Sequence, residues 1–136
     1  MPSRLVTETS FAFSMVEPMD QFEIRSDRSA NGTTVLYLSG PVTLNTLFEF
    51  QDALRKETTG GLIIVLKDVP YMDSAGLGAI LSAYASCQRH QRSFALAGVS
   101  ERVMALLRVT KVESLVPRYD TVEAAEAGWG MKAHGA

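Results

Sequence analysis

The chain is short of most of what catalysis, metal binding or membrane insertion would need. It has one cysteine in 136 residues, Cys87, so no internal disulfide can form. Cys87 falls on the flank of an apolar helical stripe, where a small buried residue is the structural reading and a reactive thiol the rarer one. Histidine is almost as scarce: His90 and His134 are the two in the chain, and neither is placed to serve as the base of a catalytic triad. No grouping of His, Cys and carboxylates has metal-ligand spacing, so no metal is expected. Charge of one sign is also missing. Thirteen Lys and Arg face fifteen Asp and Glu, a net charge of -2 with the signs dispersed, which offers no basic footprint for DNA or RNA. The longest apolar run, Leu62 to Leu66, is far below the roughly 20 residues that cross a bilayer. The first residues, with Arg4 alone ahead of Leu5-Val6 and Glu8 soon after, lack the apolar core of a signal peptide. The expectation is a cytoplasmic protein with no membrane partner and no direct nucleic-acid partner.

What is present fits one small domain. Residues 1–18 show no clean period and read as an N-terminal arm, with the domain itself over 19–127. Phe22 and Ile24 alternate with polar residues, Asn31-Gly32 signals a hairpin turn, and Thr33 to Ser39 reads as a second strand that Gly40-Pro41 stops. Thr46 and Glu49 have capping-box spacing ahead of a helix that would bury Leu47, Phe50 and Leu54. The unbroken run Leu62 to Leu66, bounded by Gly60-Gly61 and Lys67-Asp68, reads as a strand covered on both faces, hence central and parallel. A helix after Ser74 buries Leu77, Ile80, Leu81 and Tyr84. Then come a strand over Ser93 to Val99, a helix with Val103, Leu106 and Leu107 inward, a short strand near Leu115-Val116, and a final helix opened by Asp120-Thr121-Val122-Glu123. Residues 128–136 read as a C-terminal tail. The fold class is α/β, a mixed sheet with an initial hairpin and helices packed on it.

The most telling stretch is Asp73-Ser74-Ala75-Gly76-Leu77-Gly78, at the turn from the central strand into a helix. A serine there sits where free backbone N–H groups and the positive end of the helix dipole collect, so an anionic group carried on it would be held in place. The plainer reading is that Asp73 or Ser74 is a helix cap, and a cap accounts for one of them without any function. Projected at 3.6 residues per turn, the outward face of the helix holds Ala75, Gly78, Ala79, Ser82 and Ser86, with no charge until Arg89. Solvated helix faces normally carry Lys and Glu; this one is shaped for close approach by another protein, or for cover by a loop of the same chain. Rival chemistries fit less well. A serine-hydrolase elbow wants glycine two residues before the serine, where Met72 stands. Gly76-x-Gly78 lacks the third glycine of a dinucleotide fingerprint and falls inside the helix, so no cofactor is expected. Asp68, ending the central strand, resembles the phosphoacceptor of receiver domains, but the acidic pair and the lysine that accompany it there are missing, and it reads as a turn residue.

Val69-Pro70-Tyr71-Met72-Asp73-Ser74-Ala75-Gly76-Leu77-Gly78 resembles the signature of STAS domains, specifically of bacterial anti-sigma-factor antagonists, and the likeness extends from about Phe22 to Ala127. The resemblance implies a protein-binding module and not an enzyme. Its phosphoacceptor would be Ser74, its partner an anti-sigma factor that is also a serine kinase. Unphosphorylated, such a domain sequesters the anti-sigma factor and frees a sigma factor for transcription; phosphorylated, it lets go, and a phosphoserine phosphatase would reset it. The partner contact is expected at Tyr71, Met72, Asp73, Ala75, Gly76, Gly78, Ala79 and Ser82, with Thr43 and Asn45 in the loop that should lie near the same sheet edge. Many members carry an aspartate three residues after the glycine that ends the second strand; Thr43 stands there in Gly40-Pro41-Val42-Thr43, a departure that bears on the kinase contact. The alternative the resemblance allows is a scaffold subunit of a stressosome-like signalling assembly.

Overall fold

The apolar run of the central strand organises the molecule. In the computed structural model, which describes residues 21–29, 31–56 and 60–135, that run is β3 (Leu62–Asp68). Its neighbours are β2 (Thr34–Ser39) and β4 (Phe94–Ala97), both parallel to it. β1 (Glu23–Arg28) pairs antiparallel with β2 through the hairpin at Asn31-Gly32, and β5 (Arg118–Tyr119) closes the other edge parallel to β4. The sheet order is therefore β1-β2-β3-β4-β5. Four helices connect and cover it: α1 (Leu47–Lys56), α2 (Ser74–Arg89), α3 (Glu101–Val109) and α4 (Val122–Gly135).

Alternation along β3 divides its side chains between two layers. Leu62, Ile64 and Leu66 join Phe50 of α1, Leu77 and Ile80 of α2, and Val103 and Leu107 of α3 in the larger core. Ile63 and Val65 face the other way, against Ala125 of α4 with Val122 and Trp129 beside it. A strand buried on both faces has no room for polar side chains, which is why this run is uninterrupted. β1, at the edge, is mostly exposed, and its Arg25 guanidinium lies 4.0 Å over the Tyr37 ring.

Four expectations change. The short strand near Leu115-Val116 lies instead at Arg118–Tyr119. Val116 is buried without pairing, and the ladder begins past Pro117, whose carbonyl accepts from Leu96 N–H at 2.9 Å. The segment from Gly128, read as a tail, is helical through Gly135. Trp129 packs so closely on Gly61 that a Cβ there would stand 2.6 Å from the indole. The capping box at Thr46 and Glu49 does not form, because the Thr46 hydroxyl turns back to donate to the Pro41 carbonyl at 3.0 Å and accept from Thr43 N–H at 2.9 Å. Leu81 is half-buried and packs at the margin of the core. The arm over 1–18 lies outside the described residues.

Candidate functional site at the start of helix α2

Two loops run side by side beyond the parallel pair β2 and β3 and carry the site. Gly40 N–H donates to the Asp68 carbonyl at 3.0 Å, Val42 N–H to the Tyr71 carbonyl at 3.0 Å, and Asp73 N–H to the Val42 carbonyl at 3.2 Å. A parallel bridge between Val42 and Met72 continues the sheet by one step. Gly40 turns the chain out of β2 at φ +93°, a conformation glycine adopts without strain.

Asp73 is the cap of α2. Its backbone is extended, one carboxylate oxygen accepts from Gly76 N–H at 3.0 Å, and the other reaches across to Leu44 N–H at 3.1 Å. The residue that ends the β3 loop thereby fixes both the helix start and the neighbouring loop. Ser74, one place further on, is the first residue of the helix and is exposed. With the cap taken by Asp73, its hydroxyl has no hydrogen bond to the other described residues. No acidic residue stands in the first turn of α2 to compete for the free N–H groups and the dipole.

The residues expected at the partner contact divide into a surface set and a supporting set. Tyr71, Ser74, Gly78 and Ser82 are exposed, Asp73, Ala75 and Thr43 partly so, and Asn45 is exposed on the adjacent loop. Met72, Gly76 and Ala79 are buried, so their expected place at the contact is corrected. Met72 belongs to the larger core, held there by the bridge to Val42. Gly76 lies so near the β2 loop that a Cβ would come 2.6 Å from the Val42 carbonyl oxygen, and its small size serves internal packing. Ala79 and Ser82 both border the cleft beside α1, but Ala79 is buried and Ser82 exposed, so the solvent-facing residues of α2 include Ser74, Gly78 and Ser82. At Gly78 nothing lies within 4 Å of an added Cβ. Glycine inside a helix costs about 1 kcal/mol relative to alanine, and no internal contact requires it here.

Thr43 supports its own loop: its hydroxyl accepts from Asn45 N–H at 3.3 Å. The loop also exposes residues that sequence reasoning missed. Leu44, in the turn before α1, and Phe48, in its first turn, are 70% and 73% exposed, and Tyr71, already expected at the contact, is 50% exposed. The tie from Leu44 N–H to Asp73 brings one of these exposed apolar residues next to the helix start that carries Ser74. A signal for Phe48 was available: Leu47, Phe50 and Leu54 already fill one face of α1, and Phe48 is about 100° off that face. Cys87, in contrast, is buried in the core; burial pushes its thiol pKa up, with Arg92 pulling in the other direction. Among the described residues there is no cluster able to hold a metal ion, and no helix is long and apolar enough to cross a membrane.

The chain is 29% identical over 84 residues, 60% of its length and 74% of the relative's, to a protein of Listeria monocytogenes named anti-sigma-B factor antagonist. An anti-sigma factor antagonist from Mycobacterium paratuberculosis superposes with a TM-score of 0.74 at 19% identity, over 84% of this chain and 97% of the other. A sulfate transporter family protein from Wolinella succinogenes superposes with a TM-score of 0.64 at 22% identity, over 79% and 92%, so the same fold serves more than one role. The STAS domain model matches residues 25–125, which spans the sheet, the loop pair and the capped helix described above, and the chain belongs to the STAS domain family.

Proposed function

We propose that this protein is an anti-sigma-factor antagonist whose binding to an anti-sigma factor with serine-kinase activity is switched by phosphorylation of Ser74. The observation that carries the reading is the division of labour at the helix start: Asp73 caps and holds the backbone of exposed Leu44, leaving the Ser74 hydroxyl exposed. The unmodified surface is small and apolar at its centre, suited to a partner that comes close along Gly78 and Ser82. Phosphorylation adds about -1.5 to -2 charges next to the Asp73 carboxylate. The helix N-terminus stabilises the new anion in the free protein. In a complex, the same anion brings like charge into an apolar contact, at a cost of several kcal/mol, where every 1.4 kcal/mol is tenfold in affinity. Binding is thus lost without refolding.

In this scheme the unphosphorylated domain sequesters the anti-sigma factor in the cytoplasm, a sigma factor is freed for transcription, and a phosphoserine phosphatase restores the binding form. The experiment is a pull-down from the native cell with wild-type protein and Ser74→Asp as baits, followed by calorimetry on the purified partner. Wild type should retain an anti-sigma factor with kinase activity, and Ser74→Asp should bind it at least a hundredfold more weakly. Equal affinity for the two would refute the switch. Recovery of only other STAS proteins would favour a scaffold subunit.

A further inference from the structure

A cleft of about 510 Å³ opens between α1 and α2, with Ser82 of the exposed face of α2 at its edge. The small side chains of α2 create it: Ala79, Ser82 and Ser86 follow one another at helical spacing where larger residues would have closed the gap to α1. Leu54 and Leu62 supply apolar wall, and among the described residues no carboxylate lines it, whereas Arg55 and Arg92 both do.

The two arginines are not in the same state. Arg55 is matched by Asp52 on its own helix, at 3.4 Å. Arg92 Nε donates to the Gly60 carbonyl at 2.7 Å, but its Nη2 is shielded from solvent and has no hydrogen-bond partner among the described residues. Buried donors in folded proteins are almost always matched, those on a permanent charge above all. An apolar cleft of this size with a few convergent polar groups is the usual form of a small-molecule site. We infer that the cleft binds a small amphipathic anion, its carboxylate or phosphate head drawing the shielded, unmatched edge of the Arg92 guanidinium round into the cleft and accepting from it, and its short apolar body lying against Leu54 and Leu62. The cleft shares Ser82 with the proposed contact face, but anion binding is read directly and does not rest on the proposed switch.

The test is NMR titration of the full chain with octanoate and octyl phosphate, which distinguish the two heads, and with octylamine and inorganic phosphate as controls. One or both amphipathic anions should bind saturably and shift the amides of Ser82, Ser86 and Arg92, while octylamine and inorganic phosphate bind at least tenfold more weakly. Arg92→Met should weaken the anion at least tenfold. Should that variant unfold through loss of the Gly60 tie, Ser82→Leu, at an exposed position, fills the cleft and should give a similar loss. Absence of saturable binding by either anion, equal binding of octylamine or inorganic phosphate, or anion affinity unchanged by Ser82→Leu would overturn the assignment.

Discussion

Two serines stand at helix starts in this molecule, and they do opposite things. Ser100 is itself the cap of α3: its hydroxyl accepts from Val103 N–H at 3.5 Å and donates to the Val69 carbonyl at 2.7 Å, joining the helix to the loop after β3. Ser74 follows a cap. Asp73 has taken the capping role in α2, and the Ser74 hydroxyl is left exposed. The surroundings differ in the same sense. α3 carries Glu101 in its first turn and Arg108 in its last, as solvated helices do, whereas α2 has no acid in its first turn and small residues along its exposed face. A shift of one residue relative to the cap separates a serine that holds the fold from one that is available for modification. It follows that helix-start chemistry by itself identifies no function; the hydrogen-bond account of each hydroxyl is what tells the two serines apart.

Substitutions can sharpen this contrast. The largest effect on stability should come from Gly76→Ala, because the added Cβ would overlap the Val42 carbonyl at 2.6 Å, and backbone has to move. The expected cost is about 1 to 3 kcal/mol, outweighing the gain in helix propensity. Urea unfolding measures it, and partner affinity should fall with it as the β2 loop is displaced. Next is the direct comparison of the serines. Ser100→Ala removes a cap and orphans the Val69 carbonyl, and should cost about 1 to 2 kcal/mol. Ser74→Ala should stay within about 0.5 kcal/mol of wild type. Equal costs in the same unfolding experiment would erase the distinction.

Gly78→Ala should behave in the reverse way to Gly76→Ala. With open space around the position, alanine should stabilise the helix by about 0.5 to 1 kcal/mol. If Gly78 is there for close approach, the same variant should bind the partner more weakly, so that stability and affinity move in opposite directions when calorimetry and unfolding are compared. The smallest effect should be that of Thr43→Asp. An added exposed charge near the site should shift partner affinity by about 1 kcal/mol or less, well below the loss expected for Ser74→Asp. Equal losses for the two, measured by titration calorimetry, would move the centre of recognition to the β2 loop.

Much of the architecture was legible because it rests on local patterns with strong physical causes. The run Leu62 to Leu66 could only be a doubly covered strand, and Asn31-Gly32 between alternating segments could only be a hairpin. The position of Ser74 at a helix start followed from the same reasoning. The parts that were misread depend on what other elements do. Ala79 lies at the boundary of the apolar stripe, and only the placement of α1 decides that it faces inward. Leu115-Val116 looked like a strand by composition, but pairing depends on register with β4, which starts after Pro117. Trp129 seemed to belong to a tail because Gly128 and Gly130 flank it, yet Gly61 on the far side of the sequence leaves the space its ring fills. Exposure of Leu44 followed from the tie between its N–H and Asp73, a contact between residues 29 apart that no local pattern encodes.

The central claim is that Ser74, and not Ser100 or a serine on the face of α2, receives the phosphate. The most direct measurement is mass-spectrometric mapping after incubation of the full chain with ATP and the anti-sigma factor kinase recovered from the native cell, for wild type and Ser74→Ala in parallel. The account predicts one phosphate on the wild-type peptide containing Ser74 and none on the variant. Phosphate on Ser82, Ser86 or Ser100, or on Asp68, or modification that persists in Ser74→Ala, would contradict it.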